Sequence, residues 1–363
     1  MAFSLSNIFS RIKTAESARP THTIGIDVGS SSVKVVEVEE KDDALMLRTY
    51  GELQLGPYAG KSLGEVVSLD NKQRIEAVTD VMREASVGSR HGALAMPLSS
   101  SFMTVVPITG AGDEDLAERI PVEARKYVPL PLPEVTLDWT ELQSNSKAET
   151  NVREVMLAAI ENKALEDYRE LLKTIGMTGE PAEVEPFSLV RSLWKSSDKT
   201  IVIIDIGART SKLYIVRNEV LERLHRVAAG GAQISVRLSQ LLNISQEDAE
   251  NLKRTYEKDS EHGQDVYKTM ASVLDGPLSE FKRIVEQYQA RTGEPIDRVV
   301  FSGGVSASPF FLSYAQDALG VPAEIGNPFG KLAYPAFMED TLGAIAPTFG
   351  VSVGAALRRF LYK

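Results

Sequence analysis

Two short stretches of this chain, DVGSSSVK (27–34) and DIGARTSK (205–212), carry the residue types that surround a bound polyphosphate. Such a ligand needs backbone N–H groups, hydroxyls and a cation near its oxygens. Gly29 and Gly207 let the main chain approach closely and turn sharply. Ser30, Ser31 and Ser32 in the first stretch, and Ala208, Arg209 and Thr210 in the second, offer amides and hydroxyls. Lys34 offers a point charge. Asp27 and Asp205 would repel phosphate directly, but they can hold hydrated Mg2+, an ion that keeps several of its waters. The plain alternative is two tight hairpin turns with an aspartate at each strand end.

These residues need elements to hold them. THTIGIDV (21–28) reads as a buried strand, GSSS as a turn and VKVVEVEE (33–40) as an alternating strand. The pattern restarts with KTIVIIDI (199–206), a GART turn and SKLYIVRN (211–218). Placing Asp27 on Asp205 aligns Gly29 with Gly207, Ser32 with Thr210 and Lys34 with Lys212. Such an internal repeat predicts two similar α/β halves facing each other across a cleft.

Between and after them, helices are predicted over 72–87, 113–128, 163–175, 308–319 and 348–361. A longer helical region spans 231–290, with breaks near Gly263 and Gly276. Strands are predicted at 93–97, 101–108, LDWTEL, REVMLAAI, 298–304 and 322–326. The 113–128 helix opens on Asp113–Glu114–Asp115, acids suited to a helix N-terminus, and Pro121 inside it marks a kink or a later start.

Two further clusters could do chemistry. Ser302–Gly303–Gly304 follows the strand RVVF and gives a flat backbone surface on which a base and ribose can lie. AENLK (249–253) puts Glu250 and Lys253 on one helical face, either as a solvated ion pair or as ligand contacts.

Composition narrows the classes. The 363 residues carry a formal charge of −10, 43% hydrophobic residues and no cysteine. The acid balance argues against a general nucleic-acid binder. The missing cysteines remove disulfides and thiolate metal sites, which fits a reducing compartment. Four scattered histidines give no metal spacing. No apolar stretch approaches the ~18–20 residues of a membrane span. Leu5, Ile8, Phe9 and Ile12 have helical spacing, so the first twenty residues read as an amphipathic or disordered tail, half-ordered or docked on its own body, or as a partner or membrane anchor.

The motif order strand–DxG–strand twice, then AExxK, then a strand with SGG, resembles the actin, Hsp70 and sugar-kinase superfamily. The chain is most similar to PilM, the actin-like ATPases of type IV pilus assembly, through GIDVGSSSVKVVEVE (25–39), EARKYVPLPLPEVTLDW (123–139), EVEPFSLVRSL (183–193) and GGAQISVRLSQLLNISQEDAENLK (230–253). The resemblance implies an actin-like ATPase fold of α/β class, with duplicated ribonuclease H-like domains and an inserted α+β subdomain. The implied division is a tail at 1–20, a first actin-like subdomain at 21–95 and 166–198, and the insert at 96–165. The second actin-like subdomain covers 199–235 and 296–363, and a helical nucleotide-capping subdomain covers 236–295.

It also implies roles. Asp27 and Asp205 would hold Mg2+ through water, and Lys34 would contact ATP phosphates. Gly207 and Thr210 would belong to the second phosphate loop, and Gly230 and Gly231 would lie near the nucleotide. Glu250 and Lys253 would contact ribose or adenine, and Gly303 and Gly304 would form the adenosine motif. Glu185 would orient the attacking water, or merely cap a helix before Pro186. Arg209 would clamp phosphate or turn outward.

The function implied is a cytoplasmic scaffold at the inner membrane face rather than a fast enzyme. It would bind the N-terminal peptide of a PilN-like membrane protein at the insert, and so reach the membrane indirectly. Pilus-assembly motor components and further copies of the chain are other partners the resemblance allows. A sugar-kinase-like phosphotransferase would need a further catalytic base. An FtsA-like filament protein would be expected to end in an amphipathic anchor, and a type II secretion module to continue into a membrane span.

Overall fold

The computed structural model describes residues 21–109, 116–142, 152–178, 181–257 and 259–361. The tail at 1–20 and the acids Asp113–Asp115 therefore lie outside the described residues.

The first half opens with β1 (His22–Val28), β2 (Ser32–Lys41) and β3 (Ala44–Gln54), followed by α1 (Asn71–Glu84) and β4 (Gly92–Met96). A second run, β5 (Ser101–Thr109), α2 (Leu116–Ala124), β6 (Val135–Glu141) and β7 (Val152–Glu161), leads into α3 (Asn162–Thr174), β8 (Pro181–Val184) and α4 (Glu185–Leu193). The second half holds β9 (Thr200–Ile206), β10 (Ser211–Arg217), β11 (Val220–Val227), α5 (Gly231–Leu242), α6 (Gln246–Thr255) and α7 (Gly263–Thr292). It closes with β12 (Arg298–Ser302), α8 (Phe311–Leu319), β13 (Glu324–Ile325), α9 (Glu339–Ile345) and α10 (Gly350–Leu361).

The sheets β3-β2-β1-β4-β8 and β11-β10-β9-β12-β13 have the same order. In each, three antiparallel strands are followed by two parallel ones. The duplication predicted from the two aspartate stretches is therefore present in the strand topology. The hairpins match as well. Asp42 and Asp43 (φ 51° and 60°) join β2 to β3, and Asn218 and Glu219 (φ 49° and 65°) join β10 to β11. Two consecutive positive φ values make the tight turn whose twist suits a hairpin, and Asp and Asn tolerate it best after Gly.

β1 and β9 are almost wholly buried because helices cover both faces of their sheets. α10 lies directly on β1: a Cβ on Gly25 would fall 1.9 Å from the Ser352 carbonyl oxygen. α4 and α10 cross just as closely, since a Cβ on Gly354 would fall 1.7 Å from the Ser188 carbonyl oxygen. One core cluster accordingly runs from Ile24 and Ile26 in β1 through Phe187 and Leu189 in α4 to Ile201, Ile203 and Tyr214 in the second half.

A separate antiparallel sheet, β5-β7-β6, has its own core with α2, including Val106, Ile108, Ile120 and Leu157. Pro121 sits inside α2, which ends at Ala124 rather than running on to residue 128. A larger difference is α7. It begins at Gly263 but continues unbroken through Gly276 and Pro277 for 30 residues. Its buried stripe of Val266, Met270, Val273, Leu274, Leu278 and Phe281 packs continuously. That tertiary burial outweighs the local Gly-Pro penalty, about 3 kcal/mol for an interior proline.

Candidate functional site

β1 and β9 end side by side in function, each delivering an aspartate to the mouth between the halves. Asp27 pairs across the hairpin with Lys34, and Asp205 pairs with Lys212 in the equivalent register. Each turn is closed by the same bond: Gly29 N–H donates to the Ser32 carbonyl at 3.0 Å, and Gly207 N–H to the Thr210 carbonyl at 3.0 Å.

The turn amides are aimed by what holds the carbonyls. In a trans peptide the C=O and the following N–H point in opposite directions. The Ser30 carbonyl accepts from Val67 N–H at 2.9 Å, which turns the Ser31 N–H away from that support. The carbonyls of Gly207 and Ala208 accept from Gly231 and Ala232 N–H, each at 2.9 Å, which turns the Ala208 and Arg209 N–H groups the same way. Gly230 and Gly231 thus act first as the support of the second loop. Gly230 must be glycine, because a Cβ there would sit 2.6 Å from the Gly207 oxygen and 2.7 Å from that of Ala208. The side chain of Arg209 is exposed, and those of Ser30, Ser31 and Thr210 are half-buried at the loop surfaces.

The charges behind these loops form one neighbourhood. Lys212 Nζ donates to Glu185 at 2.5 Å and to Asp205 at 3.1 Å. Burial alone would depress Lys212, but those two carboxylates outweigh it and hold its ammonium well above the usual range. Among the described residues no cation comes so close to Asp27. Burial pushes its carboxyl up to about 6; Lys34 and Lys212 oppose the shift, and Glu185 and Asp205 add to it. Lys34 donates to Ser32 Oγ at 2.6 Å and lies 3.3 Å from Glu52 on β3. Burial would raise Glu52, yet Lys34 and the Ser32 hydroxyl bring it below the usual carboxylate range. Glu52 is a member of the site that sequence reasoning missed, because it sits on an edge strand with no motif of its own.

The second half supplies a different surface. Glu250 and Lys253 form a buried pair at 2.5 Å, not a solvated one. Ser235 donates to Glu250 at 2.6 Å, Arg254 donates to its other oxygen at 2.7 Å, and Lys253 also reaches the Gly231 carbonyl at 3.2 Å. Burial would raise Glu250, but Lys253 and its hydrogen bonds hold the carboxyl below the usual range. Gly303 follows β12 with φ +90°, and a Cβ there would lie 2.6 Å from Asp205 Oδ1. Gly304 opens the next helical turn. The strand-to-glycine turn is thus pressed directly against the second aspartate.

Chemically, the arrangement offers outward amides on two loops, the lysines Lys34 and Lys212, and the carboxylates of Asp27, Glu52, Glu185 and Asp205. No group of three or more His, Cys, Asp or Glu side chains close enough to chelate a metal occurs among the described residues. The donor set instead suits a hydrated divalent ion completed by ligand oxygens. An added positive charge beside Asp27 would favour its ionised form and oppose the effect of burial on its carboxyl.

The family model described as "Type IV pilus assembly protein PilM" matches residues 25–360. The cell division protein FtsA of Enterococcus faecalis is 23% identical over 339 residues, covering 81% of this chain and 76% of FtsA. The structure titled "PilM-PilN type IV pilus biogenesis complex" is similar with a TM-score of 0.77 and 24% identity, covering 94% of this chain and 99% of the other. MreB 5 of Spiroplasma citri bound to AMPPNP is similar with a TM-score of 0.50 and 11% identity, covering 95% of this chain and 98% of the other. The fold is that of the actin-like ATPases.

Proposed function

Because this chain belongs to the PilM family of type IV pilus assembly proteins, we propose that it is an ATP-binding scaffold of the pilus inner-membrane assembly complex. ATP with Mg2+ lies between the two loops. The amides of Ser31, Ala208 and Arg209 and the ammonium of Lys34 face its phosphates. Asp27 and Asp205 hold the hydrated ion, and Gly303, Gly304, Glu250 and Lys253 border the nucleoside. The observation that carries this reading is the pairing of two equivalent loops, each with a turn glycine, an aspartate and a lysine in the same register.

The same geometry favours a clamp over rapid turnover. A general base has to be free to take a proton. Glu185, the acid suited to orient water, is instead paired to Lys212. ATP here holds a conformation more than it drives cycles.

The partner is the N-terminal peptide of a PilN-like inner-membrane protein, bound at the inserted segment 96–165 and its border. Val122 and Tyr127 on and after α2 stay exposed as apolar contacts. Glu154 on β7 lies 3.3 Å from Arg223 and 3.2 Å from Arg291, so the insert also touches the second half. Among the described residues no single helix is long and apolar enough to cross a membrane; in this reading the chain reaches the inner face through its partner. A direct test is titration of that peptide with and without MgATP. Tighter binding with MgATP is expected; equal affinities, or none, would remove the scaffold reading.

A further inference from the structure

The Gly60–Val67 loop belongs to the first half, yet it reaches the helix that carries Glu250. We infer that Gly64 is a positioning residue for Glu250, and that through it the first half sets the base-side surface of the second. The inference deepens the nucleotide reading above and rests on it for its ligand.

Gly64 has φ +75°, a left-handed conformation that favours glycine. A Cβ on it would fall 2.4 Å from Glu250 Cδ and 2.6 Å from Oε2. The Glu250 carboxylate has no easy escape, because Ser235, Lys253 and Arg254 already grip it at 2.6, 2.5 and 2.7 Å. Backbone and carboxylate are therefore in contact across the division between the halves, with no side chain interposed.

The other end of the loop is tied to the first phosphate loop. Val67 N–H donates to the Ser30 carbonyl at 2.9 Å, and that bond aims the Ser31 amide. Between these ends, Gly64 N–H donates to the Gln54 side chain at 3.3 Å. A cavity of about 210 Å3 remains between Leu63–Val66 and the α5 residues Ala232, Ser235 and Val236. The loop thus touches α6 through Gly64 while leaving room beside it. A ligand that fixes Ser30 and Ser31 would fix the loop, and the loop would fix Glu250.

Gly60 provides a matched control. It lies in the same loop with φ +66°, but a Cβ there meets nothing within 4 Å. Gly60→Ala and Gly64→Ala share the backbone strain, and only the second pushes on Glu250. Gly64→Asn tolerates positive φ better and keeps the clash. The probes are fluorescent ATP and ADP analogues with Mg2+, and a spin-label distance between Lys72→Cys in α1 and Glu247→Cys in α6, introduced in a chain without native cysteine. With melting temperatures matched to Gly60→Ala, both Gly64 variants are expected to release the ATP analogue about tenfold faster, as displaced ion-pair contacts act mainly on dissociation. They should also lengthen or broaden the label distance, whereas Gly60→Ala stays like the parent. Equal behaviour of Gly60→Ala and Gly64→Ala would overturn the inference. If the parent binds neither analogue, the nucleotide reading fails separately. The distance alone then decides: a change confined to the Gly64 variants supports the contact, and an unchanged distance removes it.

Discussion

Lys212 of β10 and Glu185, the first residue of α4, meet at 2.5 Å between the two halves, and the same ammonium reaches Asp205 at 3.1 Å. One cation therefore neutralises two largely buried acids from different elements. Lys212→Met should leave Glu185 and Asp205 facing each other uncompensated. The expected loss is about 3 kcal/mol of unfolding free energy, the scale for removing one partner of a buried pair. Urea denaturation at neutral pH measures it, and a loss below ~1 kcal/mol would mean that the pair is not carrying that charge balance.

Asp27 gives the protein a pH dependence of definite sign. Its folded carboxyl stands at about 6 against an ordinary 3.8, chiefly through burial. The folded state thus holds this proton more tightly than the unfolded state does. The associated stability is full below about pH 4 and is lost as the pH rises through 6. Asp27→Asn should flatten that part of the stability profile and stabilise the nucleotide-free protein at pH 7. Melting temperatures from pH 4 to 7 for both proteins are the measurement; parallel curves would contradict the assignment.

Ligand linkage tests the two loops together. At one hundred times its dissociation constant, MgATP should add about 2.7 kcal/mol to the stability of the parent. Asp27→Ala and Asp205→Ala should each abolish most of the resulting melting shift, and chelation of Mg2+ should do the same to the parent. A parent-sized shift in both variants would move the nucleotide elsewhere.

The α4–α10 crossing predicts a purely structural defect. Gly354→Val would drive a branched side chain into the Ser188 carbonyl, which already lies 1.7 Å from where a Cβ would stand. A loss of more than ~4 kcal/mol, or failure to fold, is the expected outcome for overpacking at a backbone contact. Circular dichroism with denaturant checks it, and a near-parent midpoint would show that the helices can part freely.

Much of this site is legible in the sequence because its signals are local. Asp27 and Asp205 each end an apolar β-branched run and precede glycine, so strand, turn and acid can be read from eight residues. The matching of Lys34 with Lys212 follows from the same alignment. Glu52, the Lys212–Glu185 pair and the Gly64–Glu250 contact are different. They join segments 18, 27 and 186 residues apart in sequence, by the numbering, and no local propensity encodes them. β3 and β11 escaped notice for a related reason. As edge strands they lack the continuous burial of β1 and β9, and their turn signals, Asp42–Asp43 and Asn218–Glu219, carry no glycine. In α7 the local signal at Gly276–Pro277 pointed the wrong way, since the contacts that keep the helix whole come from distant strands and helices.

α10 covers β1, the opening strand of the described fold, although some three hundred residues separate them. During synthesis the face of the first sheet around Gly25 and Val36 must wait, uncovered, until residues 350–361 leave the ribosome. Contacts of such high sequence separation form late and slow the search for the native state. Until α10 docks, that apolar face stays open to non-native association.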